Sequence, residues 1–193
     1  MSAFINARGA PPPLALVRRL RAALGPQALL SLLILLLLPS NAHAEYSRIV
    51  LKIFGMDCAT CAHGVRVAIQ KIDGVDTVAL SLERAEADIR LRQDNRVSLD
   101  QFRRIAKANG FEPRQATVTA VGTVREVKGA LAFEVSGVPA PLLVVIDRSA
   151  PAAYQQLKSA WDSKKSGAFE IVGTVENKGD GVERIAVASV TAK

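Results

Sequence analysis

The chain has 193 residues, with 25 lysines and arginines against 18 aspartates and glutamates, giving a formal charge of +7, and it holds 2 cysteines and 1 tryptophan. That length allows two compact units of about 70 to 80 residues, each able to bury only a modest core. No pattern of Ser, His and Asp points to hydrolysis, no glycine-rich phosphate loop is present, and the charge is too mild and too scattered to be a nucleic-acid footprint.

The first segment reads as an address. Arg18, Arg19 and Arg21 precede an apolar run from Ala28 to Leu38, followed by Pro39 and then Ala42-His43-Ala44. That order is the order of a secretory signal peptide with a cleavage site before Glu45, so residues 1–44 are expected to be removed on export. The apolar run is short of the roughly 20 residues that cross a bilayer, which disfavours an uncleaved anchor. Arg18-Arg19 lacks the flanks of a twin-arginine signal. The leader takes four arginines and no acids with it, leaving +3 on residues 45–193.

Residues 45–116 alternate strand and helix patterns. Arg48 to Phe54 puts Ile49, Leu51 and Ile53 on one side, as a half-buried strand does. From Cys61 the apolar residues change to helical spacing at Val65, Ala68, Ile69 and Ile72, and Gly74 is expected to cap that helix. Val78, Leu80, Leu82 and Ala87, Ile89, Leu91 form a hairpin around Glu83 to Glu86, where the paired carboxylates belong to a turn. Ser98 with Gln101 makes a capping box for a helix with Leu99, Phe102, Ile105 and Ala106 inside, closed by Asn109-Gly110. A last strand starts near Phe111. The order β-α-β-β-α-β is that of a ferredoxin-like α+β sandwich.

From residue 117 to 193 the texture changes to short valine-rich strands: Val118 to Val127, Leu131 to Val135, Leu142 to Ile146, Phe169 to Val175 and Arg184 to Val190. Pro151 opens a helix with Tyr154, Leu157 and Trp161 on its inner face, ending near Gly167, and Asn177 to Gly181 is a turn. Five strands with one helix between the third and fourth are the element order of a small OB-like barrel. Val121-Gly122-Thr123-Val124 recurs as Val172-Gly173-Thr174-Val175, and glycine inside a strand marks the bends that a small barrel needs. Phe133 and Phe169 are expected to point inward, which leaves no stacking platform for nucleic acid.

Both cysteines lie in Gly55-Met56-Asp57-Cys58-Ala59-Thr60-Cys61-Ala62-His63. Two thiols that close can be a disulfide, a redox catalyst or a clamp for a soft metal ion. With Cys58 in the loop after a strand and Cys61 at the start of a helix, the helix dipole and free N–H groups favour thiolates. Thiolates select monovalent copper, zinc and other thiophilic ions over calcium or magnesium, and no second pair exists to close a four-cysteine zinc site.

Here the sequence resembles a known family. Gly55-Met56-x-Cys58-x-x-Cys61, Val65, Gly74-Val75 and Gly110-Phe111, in this element order, are similar to the heavy-metal-associated domain over residues 48–115. That family includes copper chaperones, the tails of metal-pumping P-type ATPases and the periplasmic mercury-binding protein. The resemblance implies that Cys58 and Cys61 bind one metal ion, Cu(I), Hg(II) or one of Zn(II), Cd(II) and Pb(II). It also implies that the partner is a membrane metal transporter or a periplasmic metal carrier. An aspartate at position 57 resembles the zinc, cadmium and lead exporters, and its carboxylate would supply a third, harder donor for a divalent ion. The resemblance tucks Met56 under the loop as packing. His63 is a weaker candidate ligand, and Phe111 is expected to shield the sulfurs.

The resulting expectation is an exported, non-enzymatic heavy-metal-binding protein with a signal peptide (1–44), a heavy-metal-associated domain (45–116) and an OB-like β domain (117–193). A metal-responsive adaptor is the alternative. A thiol-disulfide oxidoreductase is a weaker one, because the flanks and strand order of thioredoxin-like enzymes are missing.

Overall fold

The computed structural model describes residues 45–135, 137–163, 167–177 and 181–193, so the expected signal peptide lies outside the described residues. Strand β1 (Tyr46–Phe54) buries Ile49, Leu51 and Ile53. Helix α1 (Ala59–Gln70) buries Ala62, Val65 and Ile69, while Ala68 is half-buried on the flank. Strands β2 (Val75–Ser81) and β3 (Glu86–Leu91) form the expected hairpin, with Leu82 outside it and exposed. Helix α2 (Leu99–Ala108) follows Ser98, whose N–H donates to the Gln101 side chain at 2.9 Å, and it buries Leu99, Phe102 and Ala106. The strands pair antiparallel in the order β2-β3-β1-β4. The β-α-β-β-α-β order expected for residues 45–116 is therefore the order observed. Gly74 is not the cap expected of it: α1 ends at Gln70 with Lys71 as its C-cap, and Gly74 lies beyond, leading into β2.

The main departure is at β4. The strand expected near Phe111 and the separate one expected at Val118 to Val127 are a single strand, β4 (Glu112–Val127, 16 residues). Nothing in residues 112–127 breaks a strand, because Pro113 sits at its start and Gly122 occupies a bend rather than a gap. The boundary read between residues 116 and 117 thus falls inside a strand. Over Ala116–Ala120, β4 pairs with β1 along one edge and with β7 along the other. Alone, a β2-β3-β1-β4 sheet would leave that second edge open to any passing strand.

Beyond β4 come β5 (Ala130–Glu134), β6 (Leu142–Val145), helix α3 (Pro151–Asp162), β7 (Phe169–Asn177) and β8 (Glu183–Ala192). Pairing runs β4-β5-β6-β8-β7 and returns to β4, with β6 and β8 parallel and the other pairs antiparallel. The five strands close a cycle. Phe133 and Phe169 are buried, as expected. Trp161 is not: α3 turns Ala153, Leu157 and Ala160 inward, and Trp161, one position off that stripe, is 39% exposed. A single hydrophobic cluster contains Ile49, Phe102 and Leu51 together with Phe133, Ile171 and Ile185, and the described residues lie in one compact unit. A half-buried ion pair, Arg103 of α2 with Glu183 of β8, also joins the two halves. No helix among the described residues is long and apolar enough to cross a membrane.

The repeated Val-Gly-Thr-Val has a physical cause. At Gly122, β4 passes from its β7 partner to β5, and a Cβ there would meet the Glu134 carbonyl oxygen at 2.3 Å and the Phe133 ring at 2.6 Å. At Gly173 the β7–β8 register shifts, and a Cβ would meet the Ala186 carbonyl oxygen at 2.7 Å. Both glycines make room for backbone, which cannot retreat as a flexible side chain can. Gly122→Ala is predicted to destabilise by about 2 kcal/mol through overpacking. Since β4 serves both halves, calorimetry should show one transition shifted down by roughly 4–8 °C, whereas an unchanged transition would contradict the close packing at Gly122.

Candidate metal centre

The chain leaves β1 at Phe54 and turns at Gly55, whose φ of +86° favours a residue without a side chain. Met56 then drops into the core at 2% exposure, in the packing role expected of it. Cys58 is the N-cap of α1, with extended backbone at φ −111° and ψ 122°. Its carbonyl accepts the first helical hydrogen bond from Ala62 N–H at 2.9 Å, and its sulfur accepts the Cys61 backbone N–H at 3.3 Å. This corrects the sequence reading, in which Cys61 opened the helix. The helix starts two residues earlier, because the Cys58 sulfur takes the place that a serine or aspartate oxygen fills in an ordinary cap. Both cysteines are free and exposed.

The cap sets the sulfur chemistry. A hydrogen bond from the Cys61 thiol, then the one from the Cys61 backbone N–H, hold the Cys58 thiol below its ordinary value. The same thiol-to-sulfur bond, followed by partial desolvation and the neighbouring Cys58 charge, pushes Cys61 up. Of the two, Cys58 is therefore the readier to become a thiolate, with Cys61 as its hydrogen-bond donor. Asp57 charge raises both thiols slightly.

Asp57, expected as a third ligand, is exposed, and among the described residues no group of three Cys, Asp, Glu or His side chains converges as a metal site. His63 does not join either, and its Nδ1 lies 3.4 Å from the Arg66 guanidinium. Phe111 is half-buried, and a Cβ on Gly55 would lie 3.9 Å from its ring, so it packs against the loop where expected.

Sequence reasoning missed one neighbour of the loop. Phe54 is 65% exposed, with the Arg114 guanidinium 5.5 Å from its ring centre. The signal was available, since Phe54 is out of phase with Ile49, Leu51 and Ile53; its cationic partner on another strand was not.

Residues 50–110 match the sequence profile of the heavy-metal-associated domain. This segment is a heavy-metal-associated domain. No curated protein matches the chain. Solved structures similar to it include the yeast copper transporter domain Ccc2a, described in apo and Cu(I)-loaded states, at 25% identity over 35% of this chain and 90% of that one, with a TM-score of 0.33. The CopZ metallochaperone gives 25% identity over 35% of this chain and 98% of its own, with a TM-score of 0.33. A copper-binding domain from HMA7, a P-type ATPase, gives 25% over 35% and 89%, with a TM-score of 0.32. The profile match ends at residue 110, before β4 begins, and leaves β4 to β8 outside it.

The asymmetry of the two thiols is measurable. Under limiting iodoacetamide at neutral pH, Cys58 is predicted to be alkylated faster than Cys61, read by peptide mass spectrometry. Equal rates, or a faster Cys61, would contradict the capping geometry.

Proposed function

We propose that the chain is an exported, non-enzymatic protein that holds one soft heavy-metal ion between Cys58 and Cys61 and exchanges it with a membrane metal transporter or another carrier. The observation that carries this reading is the pair of free, exposed sulfurs at the start of α1, inside a heavy-metal-associated domain. The ion is cargo. Cys58, the readier thiolate, makes the first bond, and Cys61 then gives up its proton and closes a two-sulfur clamp. With no third protein donor gathered among the described residues, the donor set suits ions that accept two soft ligands, Cu(I) or Hg(II), better than Zn(II), Cd(II) or Pb(II).

The open clamp also supplies a route for release. A sulfur ligand of the acceptor can bond the exposed ion while one of the chain's own sulfurs still holds it, so the ion is never fully stripped. The first bond to break is then replaced by a second bond to the acceptor.

Export rests on the arginines, apolar run and Ala42-His43-Ala44 of residues 1–44. For residues 117–193, the OB-like reading draws support from the closed cycle β4-β5-β6-β8-β7, its parallel β6–β8 pair, and α3 between the third and fourth strands of that cycle.

Titrating the reduced chain with copper(I), mercury(II) and zinc(II) in competition with a chelator is expected to give one equivalent bound. Cys58→Ala or Cys61→Ala should weaken binding by about a hundredfold or more, because the second bond to one ion is intramolecular. Binding should release protons, and affinity should fall by about tenfold per pH unit on acidification for each proton displaced. Unchanged affinity in both variants would refute the clamp.

A further inference from the structure

A second polar site lies away from the cysteines, in the cleft between α2, the start of β4 and the end of β7. Its volume is about 650 Å³, within the range of small-molecule sites. Asp100, Arg103, Arg104 and Lys107 all line it, at a spacing that stacks them on one helix face. Arg114 and Gln115 enter from β4 and Glu176 from β7.

The charges are not equally committed. Arg103 is 12% exposed and bound to Glu183, with Asp100 at 3.4 Å, and Arg114 is bound to Glu112 at 3.0 Å. Arg104 and Lys107 are exposed and make no ion pair among the described residues. Among the described residues no aromatic side chain lines the cleft, so they offer none of the stacking that single-stranded nucleic acid uses.

We propose that this cleft binds a small multivalent oxyanion, a polycarboxylate or a phosphate, through Arg104 and Lys107 over an Arg103 floor. Arg104 offers the planar fork that matches carboxylate and phosphate oxygens, and Lys107 adds a point charge one turn away. Three carboxylates also line the cleft: Asp100 and Glu112 are paired with Arg103 and Arg114, and Glu176 opposes the anion from across it. The site is formed only because β7 lies against β4 and brings Glu176 opposite α2, so a domain consisting of residues 50–110 alone does not contain it.

The test is calorimetric titration of the full chain with citrate and with pyrophosphate at physiological salt, where a diffuse surface charge is screened. One saturable site per chain is expected for at least one of the two, and the preferred probe distinguishes carboxylate from phosphate. Arg104→Gln with Lys107→Gln should weaken it by about tenfold or more. Glu176→Gln should tighten it, and the metal stoichiometry should stay at one in both. Arg66→Gln with Lys71→Gln, exposed cations on α1 and at its C-cap that do not line the cleft, should change nothing. Absence of saturable binding for both probes would overturn the proposal. So would an equal loss in the α1 double variant, or a Glu176→Gln variant that binds no tighter.

Discussion

Because β4 is hydrogen-bonded along both edges over Ala116–Ala120, the two halves of this chain are not beads on a string. A strand paired on one edge only can fray or accept a foreign partner; one paired on both edges is held at each residue by its neighbours. Ala116, Val118 and Ala120 are fully buried, and their small size lets the sheet receive side chains from both halves in one cluster. Tyr46, Phe102 and Phe133 are the largest side chains of that shared core. The Arg103–Glu183 pair repeats the connection at the surface of α2, and breaking it by removing one partner would strand a half-buried charge.

The cysteine loop depends on that frame at its two ends. Gly55 lets β1 turn, Met56 anchors the turn in the core, and Cys58 caps α1, so residues 57–61 are exposed above a buried anchor. A rigid base with an exposed tip suits an ion that must be held and also reached by a competing ligand. The unequal thiols have the same origin: a single cap hydrogen bond from the Cys61 backbone, and a second from its thiol, both end on Cys58 sulfur.

How much of this was legible in the sequence follows from the range of each signal. The alternation at Ile49, Leu51 and Ile53, the helical stripe of Val65 and Ile69 and the Ser98–Gln101 box are local patterns, and each appears where it was read. The CxxC loop was equally legible, since its strand, turn and helix are contiguous. What failed was non-local or turned on the placing of one side chain. The edge pairing of β4 with β7 joins residues 47 to 59 positions apart, so the strand was read as two elements. Trp161 was read as core because it shares a helix face with Tyr154 and Leu157, whereas the buried stripe of α3 is Ala153, Leu157 and Ala160, one position round. Asp57 was read as a third donor from its resemblance to the zinc, cadmium and lead exporters; it is exposed, and no group of three Cys, Asp, Glu or His side chains gathers among the described residues. The polar face of α2 was visible as a spacing, but nothing in the sequence placed Glu176 across from it.

Sulfur ligation by this one loop is the claim on which the functional account stands, and X-ray absorption at the metal edge of the loaded, reduced chain examines it directly. The account predicts a first shell of two sulfur atoms per ion, at distances of about 2.3 Å if the ion is zinc. A shell of oxygen and nitrogen only, or one of four sulfurs shared between two chains, would contradict it.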